Sequence, residues 1–196
     1  MMALFVEAMA TSSVIRPILR LTHLFCFAST FGMSLWVSFV SGAILSQCTS
    51  TREQYGYLQS RIFPLYFRIA AFGEAILLAT HAVLHPWSSA GTSEQWQFQI
   101  LFCSLFMTVL NVYILEPLST KVMFERLKME KEEGISREDI LASGDLTNLD
   151  YLTKCQMRAV NSKLSRVQDF SSMANLVSLG CLTWHLLHLQ SHLGVR

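Results

Sequence analysis

Histidines at helical spacing are the clearest chemical signal in the sequence. His81 and His85 are four residues apart, a spacing that places two side chains on one face of a helix. Three further histidines share a helical stripe with a cysteine near the C-terminus. Neutral imidazoles on facing helices bind zinc or copper, and a thiol favours softer metals, although histidine is also an ordinary residue at a membrane interface. The candidate metal ligands are His81, His85, Cys181, His185, His188 and His192.

Glu74 is a carboxyl group in the middle of a long apolar run. An ionisable group at membrane depth is costly, and it is therefore a functional candidate by default. We expect Glu74 to face the interior of a helical bundle in its neutral form, hydrogen-bonded to Asn111 or Asn175. Two interpretations stay open. Glu74 is either a structural cross-link of the kind common between membrane helices, or part of a proton relay with His81 and His85, which share its helical face.

Several classes of function are disfavoured by what the sequence lacks. It has no P-loop, HExxH, GxSxG or GxGxxG motif, so we expect neither an enzyme nor a bound cofactor. The net charge is only +1, and no basic patch is interleaved with aromatic residues. Nucleic acid is therefore not an expected partner.

Four apolar runs have a length suited to crossing a bilayer. They cover about residues 21–46, 62–84, 98–115 and 172–189. A hydrocarbon core of about 30 Å requires roughly 20 helical residues. Runs this long and apolar are helices rather than barrel strands, because a helix satisfies its own backbone hydrogen bonds in lipid. The predicted fold class is all-α, an integral membrane four-helix bundle forming a single membrane domain over residues 1–196.

The segment 117–166 between the third and fourth spans carries most of the charge. Its excess of lysine and arginine predicts a cytoplasmic loop, with both termini and all six histidines at the opposite, non-cytoplasmic end. Residues 122–133 read as an amphipathic helix lying along the membrane surface, and residues 151–166 as a helix running into the fourth span. The plasma membrane or an endomembrane is the expected location.

A set of ordered motifs resembles the transmembrane protein 205 family. They are WVSFVSG at 36–42, LQSRIFPLYF at 58–67, LEP at 115–117 and SSMANL at 171–176. The resemblance implies a four-pass membrane protein and no known catalytic residue. Glu74 and the histidines of the fourth span lie outside the family pattern.

Two function classes remain open. The first is transport or handling of a small solute or soft metal ion, with the protein acting as an oligomer, because four helices leave little interior space. The alternative is a non-catalytic scaffold or accessory protein that binds partners through its charged cytoplasmic loop. Polar groups aligned along a lumen favour the first class, and an interior filled with side chains favours the second.

Overall fold

The fold is known from a computed structural model that describes residues 13–48, 52–87, 90–132 and 151–193. The described residues are almost entirely helical and contain no strand. The elements are, in chain order, α1 (Ile15–Leu35), the π-helical segment π1 (Trp36–Ser41), α2 (Gly42–Cys48), α3 (Arg52–Leu84), α4 (Thr92–Leu110), the π-helical segment π2 (Asn111–Leu115), α5 (Glu116–Glu132) and α6 (Tyr151–Leu193).

The long helices α1, α3, α4 and α6 form a closed antiparallel ring. Helix α3 packs against α1 on one side and α4 on the other, and α6 closes the ring by contacting both α4 and α1. Helix α3 begins ten residues before its predicted span, so Pro64 lies inside the helix. The all-α prediction is confirmed.

The bundle is apolar outside and polar inside. Large side chains such as Phe25 and Phe72 are 71% and 70% exposed on its outer surface. The described residues include as many buried polar as buried apolar side chains. This distribution suits contact with lipid, where the exterior needs no polar groups and polar side chains hydrogen-bond between helices.

Among the described residues, three helical stretches are long and apolar enough to cross a membrane: Ile15–Leu45, Gly56–Leu84 and Thr92–Lys131. Residues 172–189, the fourth predicted span, belong to α6, which packs against α4. Asn175, His185 and His188 interrupt the apolar character of this stretch. A fourth crossing therefore stays a prediction.

The charged segment after the third span is a helix that packs on other helices. Helix α5 follows π2 without a break, and its Val122 and Met123 are buried against Leu164 of α6. The prediction that this helix lies along the membrane surface is wrong, because its apolar stripe faces protein. The predicted helix before the fourth span is confirmed, since α6 is continuous from Tyr151 to Leu193. Residues 133–150 lie outside the described residues.

Helices α1 and α3 approach each other closely at Gly73. A side-chain carbon built on Gly73 would overlap the hydroxyl of Thr30. Thr30 and its neighbours on the same stripe, His23 and Ser34, are buried. The small polar stripe of the first helix is therefore a packing face, as small residues commonly are in membrane bundles.

Candidate functional site

The carboxylate of Glu94 is surrounded by three imidazoles at one end of the bundle. Its Oε2 atom lies 3.6 Å from His85 Nδ1 and 3.6 Å from His188 Nε2. His81 Nε2 lies 3.8 Å from the same oxygen and donates a hydrogen bond to the backbone carbonyl of Glu94 at 3.2 Å. These four residues, which we call the Glu94 site, come from the end of α3, the turn that follows it, the start of α4 and the end of α6.

The geometry of the Glu94 site is close to that of a metal centre. The donor atoms of His81, His85 and Glu94 all lie within 4.8 Å of one another. Ligands around a tetrahedral zinc ion sit about 2.1 Å from the metal and therefore about 3.4 Å apart, so modest side-chain rotation would bring them into place. His81 is buried whereas the side chain of His85 is 42% exposed, so an ion can approach from outside the bundle.

A second histidine pair lies deeper and joins all four helices. His23 Nε2 and His185 Nε2 are 2.9 Å apart, which links α1 to α6. His23 Nδ1 lies 2.8 Å from the hydroxyl of Thr80 on α3, and His185 Nδ1 lies 3.2 Å from Gln97 Oε1 on α4. Each ring nitrogen of both histidines therefore has a partner within the bundle. These four hydrogen-bonded side chains cross-link the helices, and neither histidine is left free to bind an ion.

The structure separates the predicted metal ligands into groups. His81, His85 and His188 meet at the Glu94 site, whereas His185 is held in the inner histidine pair. Cys181 is not among the residues that meet at the Glu94 site, and Cys103 of α4 is one of its neighbours. The side chain of His192 lies outside the described part of the chain.

The sequence interpretation missed Glu94, although a signal was present. Glu94 is the only acidic residue between Glu74 and Glu116. It precedes the third span, and the predicted topology places the start of that span at the same end as the histidines. A lone carboxylate at the same end as the six histidines is a common ligand or partner in a metal site with histidine ligands.

Glu74 faces the interior, but its partners are not those predicted. Its Oε1 atom accepts hydrogen bonds from Thr108 at 3.1 Å and from Ser178 at 3.0 Å. Ser104 extends the cluster, with its hydroxyl 2.9 Å from that of Ser178. Glu74 is 2% exposed, and its Oε2 atom is buried without a hydrogen-bond partner among the described residues. We call these four residues the Glu74 layer.

The two asparagines predicted as partners of Glu74 pair with other groups, so that prediction is wrong. Asn111 Oδ1 accepts a hydrogen bond from Ser171 at 2.6 Å. Asn175 Oδ1 accepts one from the hydroxyl of Tyr66 at 2.8 Å, and its amide donates to Ser38 at 2.7 Å. Both asparagines are interhelical cross-links at levels farther from the histidines than Glu74.

An apolar layer separates the histidines from Glu74. Leu77 lies between Glu74 and His81 along α3, and it packs with Phe27 and Leu182. Leu77 and Leu182 are both fully buried. Because none of these three apolar side chains can carry a proton, they do not link Glu74 to the histidines in a hydrogen-bonded relay.

Comparison with known proteins agrees with this architecture. Residues 25–128 match a family model described as a domain of unknown function, DUF4149. The chain is 30% identical over 191 residues to Transmembrane protein 205 of Danio rerio, which covers 95% of this chain and 99% of the relative. No solved structure matches. The chain is an integral membrane protein, and it belongs to the transmembrane protein 205 family.

Proposed function

We propose that this protein binds a divalent transition-metal ion, with Zn²⁺ as the reference case, at the Glu94 site and handles such ions at the membrane. The observation that carries the proposal is the convergence of three imidazole nitrogens within 3.8 Å of one carboxylate oxygen. A structural ion pair needs one cationic partner. Three imidazoles around one carboxylate, reachable from outside, are the ligand set of a metal centre.

The ligand types define the class of metal. Imidazole and carboxylate ligands suit Zn²⁺, Co²⁺, Ni²⁺ and Cu²⁺, whereas Mg²⁺ and Ca²⁺ prefer sites built from oxygen alone. Cys103 and Cys181 are neighbours, and neither belongs to the Glu94 site. A metal of borderline softness therefore fits the Glu94 site better than the soft ion expected from the sequence.

We infer that the Glu94 site opens on the non-cytoplasmic side. The opposite end of the bundle carries α5 and the start of α6, which are rich in lysine and arginine. Positive charge of this kind is retained in the cytoplasm. A cysteine placed at Lys128 should be inaccessible to an impermeant thiol reagent added outside sealed cells, and labelling from outside would contradict this orientation.

Zinc binding to the purified full-length protein in detergent micelles tests the proposal. Isothermal titration calorimetry should detect one Zn²⁺ per chain, and His81→Ala or Glu94→Gln should weaken binding by about tenfold or more. Glu125→Gln is the matched control, because it makes the same change at an exposed position on α5. Because protons compete with metal ions for imidazole nitrogens, affinity should fall as the pH is lowered. Unchanged binding in both site variants would refute the proposal.

A second candidate function is a non-catalytic scaffold that uses the metal for stability. The apolar layer of Leu77 and Leu182 favours it, because this layer fills the interior between the two polar levels. Zinc flux into proteoliposomes separates the candidates. Flux that rises in Leu77→Ala indicates passage through the bundle, whereas zinc binding without flux in either protein indicates a scaffold.

A further inference from the structure

A polar cavity of about 280 Å³ lies at the end of the bundle opposite the Glu94 site. Gln59 lines this cavity, whereas His81 lies 22 residues farther along the same helix. At 1.5 Å per residue the two sites are about 33 Å apart. The cavity is lined by residues of π1, α3, α5 and α6. Since π1 continues α1 and α5 continues α4 through π2, every continuous helix of the bundle contributes to the cavity.

Gln59 is a buried polar side chain that lines this cavity. It is 9% exposed, and its Oε1 atom is buried without a hydrogen-bond partner among the described residues. A buried amide left in this state is unfavourable, and such groups in native structures are usually satisfied by water or a ligand. An N–H donor held in the cavity would satisfy Gln59 Oε1.

The charge of the cavity is negative. Glu116 is the only ionisable side chain among its described lining residues, and its Oε1 atom accepts a hydrogen bond from Thr120 at 2.6 Å. The rings of Phe63 and Phe67 also line the cavity. A carboxylate and aromatic rings around one space favour a cation, through charge-assisted hydrogen bonding and cation–π attraction.

We propose that this cavity binds a small primary ammonium ion with a short apolar body. The ammonium group donates hydrogen bonds to Glu116 and to Gln59 Oε1, and the hydrocarbon part lies against Phe63 and Phe67. The volume falls at or below the lower end of the range for small-molecule pockets, which limits the ligand to a few carbon atoms.

The two π-helical segments support a ligand site at this position. Val37 and Ser38 of π1 line the cavity, and Glu116 follows directly after π2. A π-helical turn widens the helix, interrupts its regular hydrogen bonding and is found frequently at functional sites. Of the two such segments in the described chain, π1 contributes lining residues, and π2 ends directly before the lining residue Glu116.

Binding of n-butylammonium to the full-length protein in detergent micelles tests the proposal by saturation-transfer NMR and calorimetry. Glu116→Gln should weaken binding by about tenfold or more, the scale of one charge-assisted hydrogen bond. Gln59→Leu should also weaken binding, yet leave the thermal midpoint of unfolding unchanged or raised, because it removes an unpartnered buried amide. Glu125→Gln, exposed on α5, should bind as the unmodified protein does.

Two probes of similar size test the chemistry of recognition. 1-Butanol, which lacks the charge, and tetramethylammonium, which lacks an N–H donor, should both bind more weakly than n-butylammonium. The proposal is overturned if 1-butanol or tetramethylammonium binds as tightly as n-butylammonium, if Glu116→Gln and Gln59→Leu leave binding unchanged, or if no n-butylammonium binds. Zinc binding should be the same in Gln59→Leu as in the unmodified protein, because the two sites are at opposite ends.

Discussion

Replacing Gly73 with alanine should separate helices α1 and α3 at a close contact between them. The added methyl carbon would overlap Oγ1 of Thr30, yet it would stand at 3.7 Å from the Thr30 Cβ atom, an ordinary contact distance. The conflict therefore involves a single oxygen atom. Thr30 is 1% exposed, so its side chain has little room to move aside.

The expected magnitude follows from two opposing terms. Overpacking in a well-packed interior costs about 1–3 kcal/mol. Alanine is the better helix former by about 0.5–1 kcal/mol, which offsets part of this cost. We expect Gly73→Ala to lower the free energy of unfolding by about 1–2 kcal/mol. Adding Thr30→Ala removes the obstructing oxygen, so the double variant should be more stable than the sum of the single effects by about 1 kcal/mol or more.

Equilibrium unfolding in mixed detergent micelles, followed by circular dichroism, measures the unmodified protein, the two single variants and the double variant, which together form a double-mutant cycle. Gly32→Ala and Gly180→Ala are matched controls, because a carbon added at either position has no atom within 4 Å apart from its chain neighbours and the adjacent backbone of its own helix. Both controls should be as stable as the unmodified protein or slightly more so. Equal stability of Gly73→Ala and Gly180→Ala, or strict additivity in the cycle, would refute this account of the α1–α3 contact.

Two further predictions concern the polar interior. Glu74→Gln retains the oxygen that accepts from Thr108 and Ser178, so its unfolding free energy should change by no more than about 0.6 kcal/mol, the average worth of an interhelical hydrogen bond in a membrane protein. A larger loss would mean that the acidic group itself is required. Tyr66→Phe removes the donor to Asn175 and should cost about 0.6–1.7 kcal/mol in the same assay; an unchanged value would remove this cross-link from the account.

The helices were predictable from the sequence, but the partners of the buried polar groups were not. Apolar length requires a helix in lipid, whereas the hydrogen bond of a buried side chain depends on the depth at which each helix is held. Glu74 lies level with Thr108 and Ser178, while Asn175 is one turn away, level with Tyr66. One turn is about 5.4 Å, which exceeds the reach of a hydrogen bond but is smaller than the error in a span boundary.

The segment after the third span shows a second limit of sequence interpretation. Val122 and its neighbours form an apolar stripe, and a stripe indicates that one face is buried without indicating what covers it. In the structure that face meets Leu164 of α6 rather than lipid headgroups. The Glu94 site shows a related limit. The predicted topology placed the histidines at one end of the bundle, but it did not identify Glu94, the carboxylate on α4 around which three of the imidazoles lie.

The central claim, a metal centre with nitrogen and oxygen ligands at the Glu94 site, is tested most directly by X-ray absorption at the zinc edge on the zinc-loaded full-length protein. The account predicts one zinc per chain with a first shell of nitrogen and oxygen at about 2.0–2.1 Å, and outer-shell scattering from imidazole rings that weakens in His81→Ala. Sulfur scattering at about 2.3 Å would instead place the ion at the cysteines and contradict the account, as would imidazole scattering unchanged by His81→Ala.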